Sequence, residues 1–141
     1  GPALPPESQP LLALETWVAH QSRGEPIAPS DDARLAPFRA RGAQLFTTRI
    51  GQLNLSCAQC HDERAGGRLA GSVIPQGHAT SYPLYRLEWQ GMGTLARRLR
   101  GCMTGVRAEP FATGSVEMVE IELHLATRAM GMPLETPAVR P

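Results

Sequence analysis

Apolar residues recur at three- and four-residue steps in four stretches of the chain, each bounded by residues that start or stop helices. From Pro10 to Arg23 the set Leu11, Leu14, Trp17 and Val18 predicts a helix that Gly24 ends. Pro26 and Pro29 then mark a linker. A second helix is predicted from Pro37 to Thr47, with Leu35, Phe38, Leu45 and Phe46 as its apolar positions. Gly42 precedes Phe46 by four residues and shares its face, so another helix can cross there at close range. The predicted partner runs from Ser115 to Met130 on the stripe Val116, Val119, Leu123, Ala126 and Met130. Ser115 caps it, Glu117 and Glu120 suit its positive end, Arg128 suits its negative end, and Gly131 stops it. A shorter helix opens at Thr94 and carries Leu95, Leu99 and Cys102 on one face. The run from Gly66 through Gly77 to Pro83 is predicted as loop, and the tail beyond Pro133 as extended, because Pro137 and Pro141 preclude regular structure. This pattern predicts an all-α fold, with residues 1–34 as an N-terminal arm and residues 35–141 as the main domain.

The candidate chemistry begins at Cys57-Ala58-Gln59-Cys60-His61. A Cys-x-x-Cys-His pentad is the attachment signal of a c-type haem: its two thiols reach the two vinyl groups of one porphyrin and the next imidazole becomes an axial ligand. A zinc half-site is the competing reading, but zinc needs a second ligand pair, and only Cys102 and scattered histidines remain. A thioredoxin-like dithiol needs a βαβ setting that the pattern does not contain. One covalent haem c, held by Cys57, Cys60 and His61, therefore makes residues 35–141 a cytochrome c-like domain with long loops around the porphyrin. Tyr82, Tyr85, Leu87 and Trp89 are candidates either to cover the haem or to fill the core.

Charge changes the picture locally rather than globally. A formal net charge of +1 gives no reason to expect nucleic acid or an anionic membrane as partner. No apolar run is long enough to span a bilayer. All basic residues are arginine, and Arg97, Arg98, Arg100 and Arg107 crowd around Cys102. Haem attachment outside the cytoplasm points to the periplasm, and Gly1-Pro2 reads as a protease scar left where a leader has been removed.

The sixth iron position decides what such a haem does. Candidates are His20, His78, His124, the methionines (Met92 and Met103 foremost) and Cys102. A methionine would make a simple electron carrier. Cys102 has Arg98 four residues earlier on the same helical face, and positive neighbours favour the thiolate, which is both nucleophile and iron ligand. The other reading of Cys102 is a small buried hydrophobe.

Several stretches together resemble SoxA, the haem subunit of the SoxAX cytochromes of bacterial sulfur oxidation. They are Gly51-Gln52-Leu53-Asn54-Leu55-Ser56-Cys57, Gln76-Gly77-His78, Tyr85-Arg86-Leu87, Arg98-Leu99-Arg100-Gly101-Cys102, Val106-Arg107-Ala108-Glu109-Pro110 and Glu135-Thr136-Pro137-Ala138-Val139-Arg140. The resemblance implies ligation by His61 and by Cys102, the latter often carried as a persulfide in that family. It implies that Arg98, with Arg107 as second choice, belongs to the substrate site. The activity it implies is L-cysteine S-thiosulfotransferase: oxidative coupling of thiosulfate to a cysteine thiol of the SoxYZ carrier, in a heterodimer with the SoxX cytochrome that takes the electrons. The alternative is a plain periplasmic electron-transfer cytochrome in which Cys102 is structural. Many SoxA chains carry a second haem domain; the single pentad here leads us to expect the single-haem type or the catalytic half alone.

Overall fold

The computed structural model describes all 141 residues. Five α-helices are present: α1 (Gln9–Gln21), α2 (Ala36–Thr47), α3 (Cys57–His61), α4 (Leu95–Gly105) and α5 (Val116–Arg128). The expected all-α class is corrected by two small sheets. Strands β1 (Arg68–Leu69) and β2 (Ser72–Val73) form an antiparallel hairpin. Strand β3 (Leu84–Arg86) lies between antiparallel β4 (Gly91–Gly93) and parallel β5 (Val139–Arg140). None of these strands exceeds three residues, too few for a period-two alternation to show, and β4 reads Gly-Met-Gly. The tail pairs although Pro137 lacks an N–H, because pairing starts beyond it: the N–H groups of Tyr85 and Leu87 donate to the carbonyls of Ala138 and Arg140 at 2.9 Å each.

The core forms where α2 crosses α5. Phe46, Ala96, Met118, Ile121 and Leu125 are buried together. Gly42 permits the crossing: a Cβ there would sit 2.1 Å from the Glu120 carbonyl oxygen. The expected apolar stripe of α5 is out of phase with the buried one. Met118, Ile121, Leu125 and Ala129 face inward, while Val116, Val119 and Met130 are at least half exposed. Helix α5 carries two apolar stripes, and the approach of α2 selects one of them. The buried Glu120 carboxylate accepts a hydrogen bond from Nε of Arg41 across the same crossing, which supplies the pairing that a buried charge requires.

Helix α1 shows the same shift of phase. Leu12 is its buried residue, and Leu14, Trp17 and Val18 are exposed. The N-terminal segment is tied to the rest by the Glu7 carboxylate, which accepts from the Thr94 hydroxyl and backbone N–H, and by Gly24 N–H, which donates to Leu134 O at 2.8 Å. Thr94 is the N-cap of α4, so this tie also fixes the start of the helix that carries Cys102.

Candidate functional site

The pentad forms the single-turn helix α3. Such a helix is unstable alone, since its few hydrogen bonds do not offset the ordering of its backbone. A reciprocal cap holds it: Ser56 Oγ accepts from Gln59 N–H at 3.3 Å, and Gln59 Oε1 accepts from Ser56 N–H at 2.9 Å. Ser56 is buried beneath this turn. The result is a rigid presentation of Cys57, Cys60 and His61.

Helix α3 borders a cleft that holds about 640 Å³ of space including its open mouth. Phe46, Leu95, Leu99, Ile121 and Leu125 make its apolar walls, drawn from α2, α4 and α5. Set into those walls are Cys57, His61, His78, Tyr82, Arg98 and Cys102. The four-residue step from Arg98 to Cys102 on α4 brings guanidinium and thiol to the same cavity, as the helical period requires. Cys60, on the same turn as Cys57, is half-buried beside the cleft rather than in its lining. Arg107 lies elsewhere: it follows the end of α4, has φ of 58°, and is exposed.

Among the other expected sixth ligands, His78 lines the cleft and Met103 is buried. His20 and Met92 line a separate depression with Trp17 and Pro137. His124 packs against Phe46 with its ring tilted by 53° and the ring centroids 5.2 Å apart. Its contact with Phe46 was hidden in the sequence by the phase of the α5 stripe.

The donor set fits a covalently held haem c. Two thiols and an imidazole stand on one helical turn at an apolar cleft, and the imidazole is already oriented. Nδ1 of His61 lies 2.7 Å from the carbonyl oxygen of Pro75, an acceptor that calls for Nδ1–H and leaves Nε2 available to a metal. Gly77, with φ of 72°, lies flat against the same ring; a Cβ there would stand 3.2 Å from His61 Cβ and 3.3 Å from Cγ. Burial pushes the Cys57 thiol up to about 11, and the neighbouring Cys102 adds to the rise. The surroundings of Cys57 thus penalise charge, and Cys102 is near enough to add to that penalty.

Tyr82 reports on the electrostatics of the mouth. Burial raises its pKa, and the charges of Arg98, Arg86 and Arg140 oppose that rise. Arg86 and Arg140 are register partners on β3 and β5, so the strand pairing brings both to act on Tyr82, each also in an ion pair, with Glu88 and Glu135. The sequence pattern does not bring Arg140 beside Arg86. The only available signal, a two-residue strand in a proline-rich tail, is too short to detect.

Three comparisons bear on this arrangement. The family model of the SoxA/TsdA cytochrome c domain matches residues 41–134. The L-cysteine S-thiosulfotransferase subunit SoxA of Pseudaminobacter salicylatoxidans is 36% identical over 135 residues, covering 95% of this chain and 47% of the relative. The subunit of the same name from Paracoccus pantotrophus is 37% identical over 133 residues, covering 94% and 46%. A chain of the crystal structure of SoxXA from P. pantotrophus superposes with a TM-score of 0.92 at 35% identity, over 96% of this chain and 51% of that one. The chain therefore spans about half the length of the curated relatives it matches.

Proposed function

Given that the chain belongs to the SoxA/TsdA cytochrome c domain family, we propose that it couples thiosulfate oxidatively to a cysteine thiol of a SoxYZ-type carrier. The observation that carries this reading is the convergence of Cys57, His61, Arg98 and Cys102 on one cleft. Cys57 and Cys60 would hold one haem c through thioethers, with His61 and Cys102 as its axial residues. When bound, the haem supplies a one-electron acceptor.

The residues of the chain do the rest. Arg98 binds the sulfonate end of the thiosulfate dianion through charge-assisted hydrogen bonds. That orientation leaves the outer sulfur toward Cys102: an S–S bond to Cys102 would form as two electrons leave, and the carrier thiolate would then break that bond, taking the whole S–SO3 group and releasing the Cys102 thiolate. The apolar walls exclude water, so the arginine–anion contact is stronger than it would be in solvent. In the net reaction one S–S bond forms between the outer sulfur and the carrier's cysteine sulfur. One proton and two electrons leave, so a second acceptor is required. We assign that role to a SoxX-type cytochrome, by analogy with SoxXA of P. pantotrophus. This chemistry belongs in the periplasm. No helix here is long and apolar enough to cross a membrane.

The test separates Cys102 from Arg98. Cys102→Met should keep a six-coordinate haem, raise its potential and abolish sulfur transfer. Arg98→Ala should leave the ligation spectrum intact while thiosulfate coupling falls, because a charge-assisted contact is worth roughly 1.5–3 kcal/mol, or about ten- to a hundredfold in rate. Arg107→Ala, at an exposed position outside the cleft lining, should lose less. Coupling at the wild-type rate by Cys102→Met would show that the thiol takes no part in the reaction, and absence of coupling by the wild type would leave the protein an electron carrier.

A further inference from the structure

His61 is held by a segment that needs holding itself. Residues 75–79 make no backbone–backbone hydrogen bond, although Ile74 and Thr80 on either side do. Yet this segment supplies both contacts that orient the imidazole, the Pro75 carbonyl on Nδ1 and the backbone of Gly77 against the ring. Its other hydrogen bond comes from α5. Nη2 of Arg128 donates to the Gln76 carbonyl at 3.0 Å. The same nitrogen donates to Oδ1 of Asp62 at 2.6 Å. Asp62 is the C-cap residue of α3 and follows His61 directly.

One nitrogen with two hydrogens therefore bridges the two pieces of chain that meet at the His61 ring. The guanidinium is positioned in turn. It stacks 4.5 Å above the Phe46 ring, a wall of the cleft, and its side chain is only 22% exposed. Arg128 is the last residue of α5, where a cation also suits the helix dipole. Its Nε is buried and bonds to nothing, so the side chain is ordered by Nη2 and the Phe46 stack.

We propose that Arg128 is a positioning residue for His61: by clamping the α3 C-cap to the Gln76 carbonyl it sets the rotation of the imidazole and the strength of the Nδ1 contact. The consequence lies in the ligand field of the haem-loaded protein rather than in any contact with substrate. A ligating histidine is tuned by whatever its second nitrogen is bonded to, and here that bond is only as fixed as the segment bearing Pro75. Lysine at this position offers an ammonium in place of a flat fork, so it cannot keep the stack and both hydrogen bonds in the same geometry.

The inference rests on His61 being an axial ligand, as the proposed function has it, and the experiment separates the two. Low-spin ferric electron paramagnetic resonance of the haem-loaded protein reads the orientation of the axial imidazole and does not depend on turnover. Arg128→Gln should shift and broaden the g-values and move the midpoint potential, with Arg128→Lys falling between it and the wild type. Wild-type g-values and potential in Arg128→Gln overturn the proposal. If Arg128→Gln does not retain haem, Asp62→Ala is read in its place, since that carboxylate is 45% exposed and alanine removes the acceptor of Arg128 while leaving the core untouched. Shifted g-values there support the clamp, and unchanged ones overturn it. A wild-type protein without a nitrogen-ligated low-spin signal instead refutes the assignment of His61 itself.

Discussion

Substituting Gly42 with alanine should break the helix crossing on which the cleft is built. The added Cβ would meet the Glu120 carbonyl oxygen at 2.1 Å, its carbonyl carbon at 2.8 Å and His124 Cβ at 2.8 Å. Carbon and carbonyl oxygen do not ordinarily approach closer than about 3.3 Å, so the deficit exceeds an ångström. The first two of these atoms are backbone, so no change of rotamer relieves the clash and α5 must move as a body. Overpacking costs about 1–3 kcal/mol where neighbours can give, and rigid backbone places this site at the upper end. Alanine recovers about 1 kcal/mol of helix propensity, which leaves a net loss of about 2 kcal/mol. For a chain of this size that lowers the melting temperature by about 6–8 °C. Gly101→Ala in α4 provides the control, because nothing lies within 4 Å of its Cβ and the residue is exposed. It should gain the propensity term alone and melt about 3 °C higher. Thermal and guanidinium unfolding of the haem-loaded proteins reads both. If Gly42→Ala is as stable as the wild type, the close crossing of α2 and α5 is wrong.

Gly77→Ala carries two penalties, a left-handed φ that costs an L-residue roughly 1–2 kcal/mol and a tight contact with His61. It should therefore lose stability and alter the ligation spectrum together. Gly66→Ala, with φ of 83° and open space around its Cβ, should lose stability alone; a matching spectral change in both variants counts against the Gly77 contact. Burial holds the His124 pKa below its ordinary value of 6.5, with the Arg128 charge adding to the effect. The folded chain then binds fewer protons than the unfolded one between those two values. The contribution of His124 to stability is accordingly complete above 6.5 and is lost as pH falls through that value toward the folded pKa. His124→Gln should flatten the decline of stability on acidification through this window, measured as guanidinium midpoints across a pH series, and an unaltered slope would contradict the assignment.

The ends of the helices were more legible than their faces, and the reason is physical. Caps are local: Ser115 and Thr94 each bond to a backbone N–H three residues on, so sequence alone locates them. The α4 site was legible on the same grounds, because Arg98 and Cys102 are separated by one helical turn and need no distant partner to share a face. The buried face of α5 is not local. Two apolar stripes compete there, and the choice is made by Gly42 and Phe46 some seventy residues earlier.

Arg98 and Arg107 differ for a reason that chain proximity hides. Both lie near Cys102 in the sequence, and distance along the chain ranks them almost equally. Helix geometry does not. Arg98 is one turn before Cys102 and shares its cavity, whereas Arg107 falls beyond the C-cap Val106 in a left-handed conformation, where its backbone carbonyl accepts from Gln52 N–H at 3.2 Å. Meanwhile Arg86 and Arg140, 16 and 38 residues from Cys102, bring their charges to Tyr82 in the cleft through the β3–β5 pairing. Both of these are held in ion pairs, Arg86 with Glu88 and Arg140 with Glu135, whereas Arg98 in the cleft lining has no carboxylate partner. A run of like charges on a helix radiates in several directions, and only the residues on the turn facing the cavity share it.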